Sequence, residues 1–119
     1  MTRDVGAQHE ATALLYLQNA GLSLLQRNYG CRLGEIDLIF RDGNTLVFVE
    51  VRYRKSSIHG DATATIGINK QVKLIRAAKF YLQRNPKYAN LPCRFDTVAI
   101  SGQPPQMEID WQQAAFNAY

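Results

Sequence analysis

The sequence has little cysteine and no long apolar run, and each absence excludes a class of protein. Cys31 and Cys93 lie far apart and match no zinc-ligand or redox spacing, so free thiols in a reducing cytosol are expected. No run approaches the ~18 apolar residues that a membrane span needs, so no membrane partner is predicted. The first ten residues, MTRDVGAQHE, lack the basic and apolar regions of a secretory signal. A cytoplasmic location is therefore the expectation.

No internal repeat, glycine-rich phosphate loop or Ser-His-Asp order appears either, so composition and charge have to supply the next clue. A chain of 119 residues with 46% hydrophobic and 20% charged residues predicts one globular domain, residues 1–119, around a single core. Residues 51–90 contain nine Lys or Arg and one Asp, whereas the rest of the chain contains five Lys or Arg and nine acids. This basic segment predicts contact with nucleic acid, and a solvated helix face that keeps the protein soluble is the alternative.

Residues 34–54, GEIDLIFRDGNTLVFVEVRYR, predict a β-hairpin because two β-rich runs flank RDGN. If the Gly-Asn of RDGN forms the turn, Asp37 opposes Glu50 and Glu35 opposes Arg52. If the Asp-Gly forms the turn, Glu35 opposes Glu50. In both registers Asp37, Glu50 and Arg52 share one face of the hairpin.

Both faces of the predicted hairpin are largely apolar. One face is predicted to contain Ile36, Leu38, Phe40, Val47, Val49 and Val51, and the other contains Ile39, Leu46 and Phe48 beside the charged residues. Strands covered on both faces lie in the middle of a sheet beneath helices. The carboxylates of Asp37 and Glu50 and the guanidinium of Arg52 thus lie at the end of an otherwise buried part of the hairpin.

Opposed carboxylates on such a strip repel one another, and partial burial increases the repulsion. A divalent cation is the simplest relief, because Mg²⁺ takes one or two protein carboxylates and keeps waters and phosphate oxygens as its other ligands. The alternative is a self-compensating ion-pair cluster of Glu35, Asp37, Glu50 and Arg52. Spacing leaves both interpretations open.

Two helices are predicted to cover the sheet. The first spans residues 4–19, with an inner stripe of Ala7, Ala11, Leu14 and Leu17 that Leu15 widens. Glu10 points inward with this stripe and either forms a buried ion pair or has a functional role, whereas His9 is predicted to lie on the surface. The second helix spans residues 70–84 with Asn69 as N-cap. Gln71 begins its inner face and either orients a water or phosphate near the carboxylates or caps a strand end.

The remaining segments complete an α/β fold with a mixed sheet of four to five strands flanked by helices. An edge strand is predicted at residues 22–29, a mobile loop containing His59 at 55–68, strands at 93–100 and 107–111, and a short terminal helix at 112–119. Asp96 and Asp110 are expected to pair with nearby Arg residues rather than to take part in chemistry.

An acid on the first helix, then Asp, then Glu-x-basic on the next strand resembles the pattern of the PD-(D/E)XK nuclease superfamily. More closely, GEIDLI, FVEVRYR, the pair Lys70-Gln71, RFD at 94–96 and AF at 115–116 resemble the bacterial YraN-like family over residues 5–116. That family is similar in fold to the archaeal Holliday-junction resolvases, so the resemblance implies a restriction-endonuclease-like sheet. It leaves the oligomeric state open, although resolvase-like folds commonly work as homodimers.

Carried over by position, the resemblance makes Asp37 and Glu50 the metal ligands and Glu10 the first-helix acid that helps to bind or orient the hydrated metal. Arg52 stands where the superfamily motif has Lys, and this is the main departure. An Arg stays charged and offers only donors, whereas a Lys can exchange a proton. Arg52 can therefore stabilise charge at a phosphate, or it marks a site that binds without cutting.

The leading hypothesis is an endonuclease that cleaves DNA, including branched or structured DNA, with Mg²⁺ or Mn²⁺ as cofactor. Its catalytic set is Glu10, Asp37, Glu50, Arg52 and Gln71, and its nucleic-acid-binding set is Arg54, Lys55, Lys70, Lys73 and Arg76. A non-catalytic nucleic-acid-binding domain on a nuclease fold is the second hypothesis. A protein-interaction domain whose basic helix binds an acidic partner is the third.

Overall fold

A computed structural model describes residues 2–54 and 66–117, with side chains from Gly6 onward. The elements are α1 (Thr2–Asn19), β1 (Ser23–Cys31), β2 (Gly34–Asp42), β3 (Thr45–Arg54), α2 (Ile68–Arg84), a 3₁₀ turn (Pro86–Tyr88), β4 (Cys93–Ser101) and β5 (Glu108–Phe116). The strands form one sheet in the order β1-β2-β3-β4-β5, in which β3 and β4 are parallel and the other neighbours are antiparallel. The predicted α/β fold with a mixed sheet flanked by helices is confirmed. Most of the predicted loop, with Lys55 and His59, lies outside the described residues.

The hairpin of β2 and β3 adopts the first of the two predicted registers. Asp42 pairs with Thr45, so Gly43 and Asn44 form the turn. The paired register continues as far as Leu38 and Val49, one position before Asp37 and Glu50 would oppose each other. The two strands therefore lose their regular pairing at the point where the carboxylates begin.

Helices cover the sheet on both faces and divide its apolar residues into two clusters. The α1 core consists of Ala13, Leu14, Leu17, Leu22, Leu38, Phe40, Val47, Val49, Val98 and Ile100. The α2 core consists of Ile36, Ile39, Leu46, Phe48, Ile66, Leu74, Ala77, Ala78, Tyr81 and Phe95. Coverage on both sides explains why β2, β3 and β4 are almost continuously apolar.

The side-chain alternation of β2 is interrupted at Asp37. Leu38 packs in the α1 core, whereas Ile36 packs in the α2 core, so the prediction that both share one face is wrong. On the neighbouring strand, Arg27 pairs with Leu38 and Tyr29 with Ile36. The residue between them, Asn28, has a positive φ of 50°. A residue in the left-handed region turns the strand and ends its regular alternation.

The buried stripe of α1 is narrower than predicted. Leu14 and Leu17 are buried as expected and Ala13 joins them, but Leu15 is 59% exposed and Ala7 is exposed as well. Each helical step turns the side chain by about 100°, so Leu15 falls on the far side of a stripe centred between Ala13 and Leu14. The predicted helix end is confirmed, since Gly21 follows with a φ of 103°.

α2 begins two residues earlier than predicted. Gly67 has an extended backbone, and its carbonyl oxygen accepts the first helical hydrogen bond, from the main-chain NH of Gln71. Asn69 therefore lies in the first turn, and its prediction as N-cap is wrong. The helix ends at Arg84, before Pro86, as the sequence predicts.

Close packing joins α2 to the start of β2. A Cβ atom placed on Gly34 would lie 3.0 Å from the carbonyl oxygen of Lys73, which is tighter than almost all real Cβ contacts. Only glycine lets the helix backbone approach β2 so closely without a shift. The first residue of the GEIDLI motif thus sets how near α2 lies to the carboxylates.

The C-terminal segment is one long edge strand. It confirms the strand predicted at 107–111, whereas the helix predicted at 112–119 is wrong as far as Phe116. β5 pairs with β4 from Glu108 to Phe116, with a register shift where Ala114 takes a φ of 51°. Phe116 stacks on Phe95, with ring centroids 4.8 Å apart. Polar and apolar residues alternate from Glu108 to Gln112, but the alternation ends at Gln113, so the pattern does not indicate that the strand continues to Phe116.

Candidate active site

The structure brings the carboxyl groups of Asp37 and Glu50 together in the middle of the sheet. Oδ2 of Asp37 accepts a hydrogen bond of 2.8 Å from the main-chain NH of Val51. This side-chain contact joins β2 to β3 beyond the end of their backbone ladder. A side-chain hydrogen bond joins the carboxyl groups of Asp37 and Glu50, and it raises the pKa of Glu50 and lowers that of Asp37. The predicted pair on neighbouring strands is therefore in direct contact.

Burial sets the protonation of this pair. It raises the pKa of Asp37, although the hydrogen bond from Val51 and the charge of Lys70 act in the opposite direction. Burial and then the charge of Asp37 raise the pKa of Glu50 to about 7. Because the two groups titrate together, the pair retains a proton close to neutral pH. Two charged carboxylates here need a nearby positive charge.

Lys70 supplies one such charge from the first turn of α2. Its Nζ lies 3.4 Å from Oε2 of Glu50, and it lowers the pKa of both carboxyl groups. A cleft of about 280 Å³ opens to solvent at this point and is lined by Glu50, Arg52, Ile66, Gly67 and Lys70. The sequence predicted that Lys70 binds the phosphate backbone of a nucleic acid, whereas in the structure it contacts the carboxylate of Glu50.

Glu10 lies on the other side of the same pair. It lines a second cleft, of about 210 Å³, together with Asp37, Arg52 and others. Burial and then the charge of Asp37 raise the pKa of Glu10, while Arg27 and a hydrogen bond from the side chain of Asn28 lower it. The inward orientation predicted for Glu10 is thus confirmed, and the acid faces the site rather than the centre of the core.

Asn28 is a site residue that the sequence did not reveal. It occupies the left-handed region of the backbone, which Asn tolerates better than most residues, and its side chain contacts Glu10. It stands in β1 beside the position of Asp37. The sequence feature that could have identified it is an Asn in the middle of a predicted edge strand.

The donor set is sparse. No group of three or more His, Cys, Asp or Glu side chains that could hold a metal ion occurs among residues 6–54 and 66–117. The chain therefore offers the oxygens of Asp37 and Glu50, with Glu10 nearby. Such a set fits Mg²⁺ or Mn²⁺, since Mg²⁺ is commonly bound by one or two carboxylates and completes its shell with water and substrate phosphate.

Gln71 has a contact that favours a structural role. Its amide nitrogen donates a 2.7 Å hydrogen bond to the carbonyl oxygen of Ile66. This bond fixes the segment that enters α2, and hence the turn that carries Lys70. The sequence predicted either that Gln71 orients a water or phosphate or that it caps a strand end. Its observed partner is a main-chain carbonyl, which favours the capping type of role.

Three of the other predicted nucleic-acid-binding residues belong to the described part of the chain, whereas Lys55 lies outside it. Lys73 and Arg76 are exposed on α2, and Arg54 is half-buried at the end of β3. Lys73 and Arg76 thus follow Lys70 along the same helix.

The RFD motif is structural. Asp96 is 1% exposed and accepts hydrogen bonds from Nε of Arg94 at 3.0 Å, Nε1 of Trp111 at 2.9 Å and the main-chain NH of Ala114 at 2.9 Å. Arg94 also contacts Asp42 at 3.0 Å. The prediction that Asp96 pairs with an Arg is confirmed. Asp110 is exposed on β5.

His9 is half-buried, and its prediction as a surface residue is wrong. Its ring stacks on Tyr53 of β3, with centroids 4.2 Å apart and planes 11° from parallel. Both rings line the cleft that contains Glu10 and Asp37. Helix periodicity could not indicate this contact, because the partner comes from a distant strand.

Fold and site together define an α/β protein with a half-buried acidic pair on the central strands of a mixed sheet and one helix on each face of that sheet. The chain belongs to the family described as "Uncharacterised protein family UPF0102", whose profile matches residues 9–100. This is the YraN family that the motifs resemble. Within the described residues, no helix is long and apolar enough to cross a lipid bilayer.

Relatives match nearly the whole chain. A UPF0102 protein of Nitrosococcus oceani is 53% identical over 96% of this chain and 92% of its own length. One from Pseudomonas fluorescens is 49% identical over 95% of this chain and 92% of its own length. One from Stutzerimonas stutzeri is 46% identical over 95% of this chain and 94% of its own length. The similarity thus includes both helices and all five strands.

Proposed function

We propose that the chain is an endonuclease that cleaves DNA, including branched or structured DNA, and that depends on Mg²⁺ or Mn²⁺. The observation that carries the proposal is the half-buried pair of Asp37 and Glu50, which are in contact and have raised pKa values. A pair whose deprotonation is unfavourable in the free protein gains most from a divalent cation. The two residues would hold that cation.

A bound divalent cation would activate a water molecule and stabilise negative charge at the scissile phosphate. The chain's own groups prepare the site for it. The NH of Val51 fixes one oxygen of Asp37, which leaves the other oxygen to bind. Glu10 lines the cleft beside Asp37 and would orient the waters that remain on the metal.

Two cations act on the phosphate side of the site. Arg52 lines both clefts, so its guanidinium would donate to the non-bridging oxygens of the phosphate. Lys70 stabilises the charged form of Glu50 and would be released toward the phosphate when a metal takes over that carboxylate. Lys73 and Arg76, exposed on the same helix, would hold the neighbouring phosphates.

Cleavage of labelled single-stranded, duplex, flap and four-way-junction DNA tests the proposal. Wild-type protein is expected to cut at least one of these substrates with Mg²⁺ or Mn²⁺ and to stop when a chelator is added. Asp37→Asn and Glu50→Gln are expected to abolish cutting, while Asp110→Asn, which changes an exposed carboxylate on β5, keeps it. Metal-dependent cutting that survives both site substitutions would contradict the assignment.

Arg52 at the motif's Lys position supports a second candidate, a nucleic-acid-binding domain that does not cut. This candidate predicts binding that weakens with salt and ignores chelator. Binding without cutting across the whole panel, in both metals, would favour it. Arg52→Lys is then the informative variant, because a gain of cutting would show that only the exchangeable proton was missing.

A further inference from the structure

A groove of about 550 Å³ lies beside the carboxylate site and has no role in the proposed chemistry. It is formed by α1, by Tyr53 of β3 and by the segment between β4 and β5, and its lining includes Gln8, His9, Gln103 and Met107. The surface combines flat rings, side-chain amides and a thioether. The groove therefore has a mixed lining, and it is neither a purely apolar cavity nor a charged surface.

The wall of this groove is fixed by specific contacts. The hydroxyl of Tyr53 donates to the carbonyl oxygen of Gly102 at 3.3 Å. Gly102 has a φ of 79°, and a Cβ atom there would lie 2.5 Å from the carbonyl oxygen of Gln106. The NH of Gln106 donates to the carbonyl of Gln103 at 2.7 Å and closes the turn. The groove is thus formed before any ligand arrives.

The groove adjoins the carboxylate site. His9 and Tyr53 line both the groove and the cleft that contains Glu10 and Asp37. A polymer whose phosphate lies at Asp37 would therefore place its next residue against these two rings. This arrangement indicates a nucleic acid as the ligand, because the sugar of each nucleotide joins a flat base to the phosphate.

We propose that the groove binds an unpaired nucleobase next to the phosphate at the carboxylates. This inference rests on the proposed function, which it deepens by naming the substrate class. The stacked pair of His9 and Tyr53 offers a ring face on which a base can continue the stack. The amides of Gln8 and Gln103 both donate and accept, so they suit the edges of different bases.

The proposed occupant limits the substrate. A base inside a duplex is stacked on both sides and paired at its edge, so it cannot enter a groove on the protein. The preferred substrate therefore has an unpaired nucleotide at the cut, as in a single strand, a flap or the branch of a junction. Fully paired linear duplex would be bound through its phosphates alone.

Fluorescence anisotropy with two labelled oligomers of equal length tests this site without relying on cleavage. One is oligo(dT), and the other is an abasic oligomer with the same number of phosphates and no bases. Both are measured with wild-type protein in chelator. Wild type is expected to prefer oligo(dT), and Tyr53→Leu is expected to weaken oligo(dT) binding by roughly 5- to 150-fold while binding of the abasic oligomer stays unchanged.

Tyr16→Leu is the matched control, because Tyr16 is 39% exposed against 37% for Tyr53 and lies outside the groove, against Trp111. Tyr53→Phe keeps the ring and is expected to keep the base preference, and His9→Ala is expected to reduce it. Circular dichroism of each variant checks the fold. Equal binding of the two oligomers by wild type, or equal losses in Tyr53→Leu and Tyr16→Leu, would overturn the groove as a base site.

The two proposals fail separately. If no substrate is cut in either metal but the base preference depends on Tyr53, the endonuclease proposal fails and the groove remains a base site. If cutting depends on Asp37 but Tyr53→Leu leaves both the base preference and the substrate order unchanged, the groove proposal alone fails.

Discussion

Nζ of Lys70 lies 3.4 Å from Oε2 of Glu50, so the first turn of α2 places an ammonium group on a carboxylate of β3. The lysine is half-exposed, whereas the Glu50 side chain is only 13% exposed. The motif position two residues after Glu50 is occupied by Arg52. The site therefore contains a lysine ammonium group, but it comes from the helix rather than from the strand.

Lys70→Met is expected to impair the site through Glu50. Because Lys70 lowers the pKa of Glu50, its removal moves that pKa further upward and makes the charged pair harder to form. Each unit of upward shift lowers the charged fraction about tenfold at a pH below the pKa. The pH midpoint of Mn²⁺ binding, followed by titration calorimetry, should therefore rise, and DNA cutting near pH 7 should fall about fivefold for a rise of one unit from a pKa of about 7.

Lys73→Met is the matched control. Lys73 is exposed and lies one turn further along α2, and its substitution removes the same charge as Lys70→Met. It is expected to weaken DNA binding without moving the pH midpoint of Mn²⁺ binding. Lys70→Arg should restore most of the midpoint, because it returns the charge. Identical pH profiles for Lys70→Met and wild type would show that the contact with Glu50 does not tune the site.

Local pattern was sufficient to predict the centre of the fold. RDGN between two β-rich runs predicted the hairpin and two registers, one of which the structure adopts, and both registers placed Asp37 and Glu50 on one face. Both depend on residues close in sequence and on the alternation of two along a strand. The one position where this rule failed, Ile36, lies where the left-handed Asn28 turns the adjacent strand.

Contacts between distant elements could not be predicted in the same way. The pairing of Lys70 with Glu50 and the stacking of His9 on Tyr53 both depend on how a helix lies across the sheet. Periodicity gives the face of a helix but not its crossing angle or its position along a strand. The second half of β5 was misassigned for a related reason, since residues 113–116 lack the alternation of a strand and pair with the distant strand β4.

Glu50→Gln is expected to make the metal-free protein more stable at high pH. The folded-state pKa of about 7 lies above the ordinary value of 4.5, so the folded protein binds the proton more tightly than the unfolded chain. Stability therefore decreases as the pH rises from about 4.5 to 7. Removing the charge should raise the free energy of unfolding by about 3 kcal/mol at pH 8 and change it little below pH 4.5.

Urea unfolding in chelator at several pH values measures this effect. Glu108→Gln, which changes an exposed carboxylate on β5, serves as the control and should show no comparable gain. Mn²⁺ should then stabilise wild type more than Glu50→Gln, because a ligand that binds only the folded state shifts the equilibrium toward it. A stability difference that does not change between pH 4 and 8 would contradict the raised pKa of Glu50.

Asp96→Ala is expected to destabilise the protein by about 3–5 kcal/mol, because it leaves the half-buried guanidinium of Arg94 without this carboxylate and removes the buried acceptor for Trp111 and Ala114. Asp110→Ala, an exposed acid on the neighbouring strand, should change stability by less than about 0.5 kcal/mol. Urea unfolding at pH 7 compares the two. A loss below about 1 kcal/mol for Asp96→Ala would mean that the RFD motif is not a structural anchor.

Gly34→Ala tests whether the close approach of α2 to β2 positions the active site. The added methyl group would lie 3.0 Å from the carbonyl oxygen of Lys73, so α2 has to move away from the sheet, at a cost of roughly 1–3 kcal/mol. Lys70 lies one turn before Lys73, and the same displacement would lengthen its contact with Glu50. Both the free energy of unfolding and the rate of DNA cutting should therefore fall.

Gly30→Ala is the appropriate comparison for that substitution, because Gly30 pairs with Glu35 on the adjacent strand and a Cβ there would meet nothing closer than 4.0 Å. It should leave both quantities nearly unchanged. If Gly34→Ala lost stability but kept its cutting rate and the pH midpoint of Mn²⁺ binding, the approach of α2 would serve packing alone. If all three changed together, the glycine of GEIDLI would be needed because it brings the lysine of one helix within reach of the acid of the central strand.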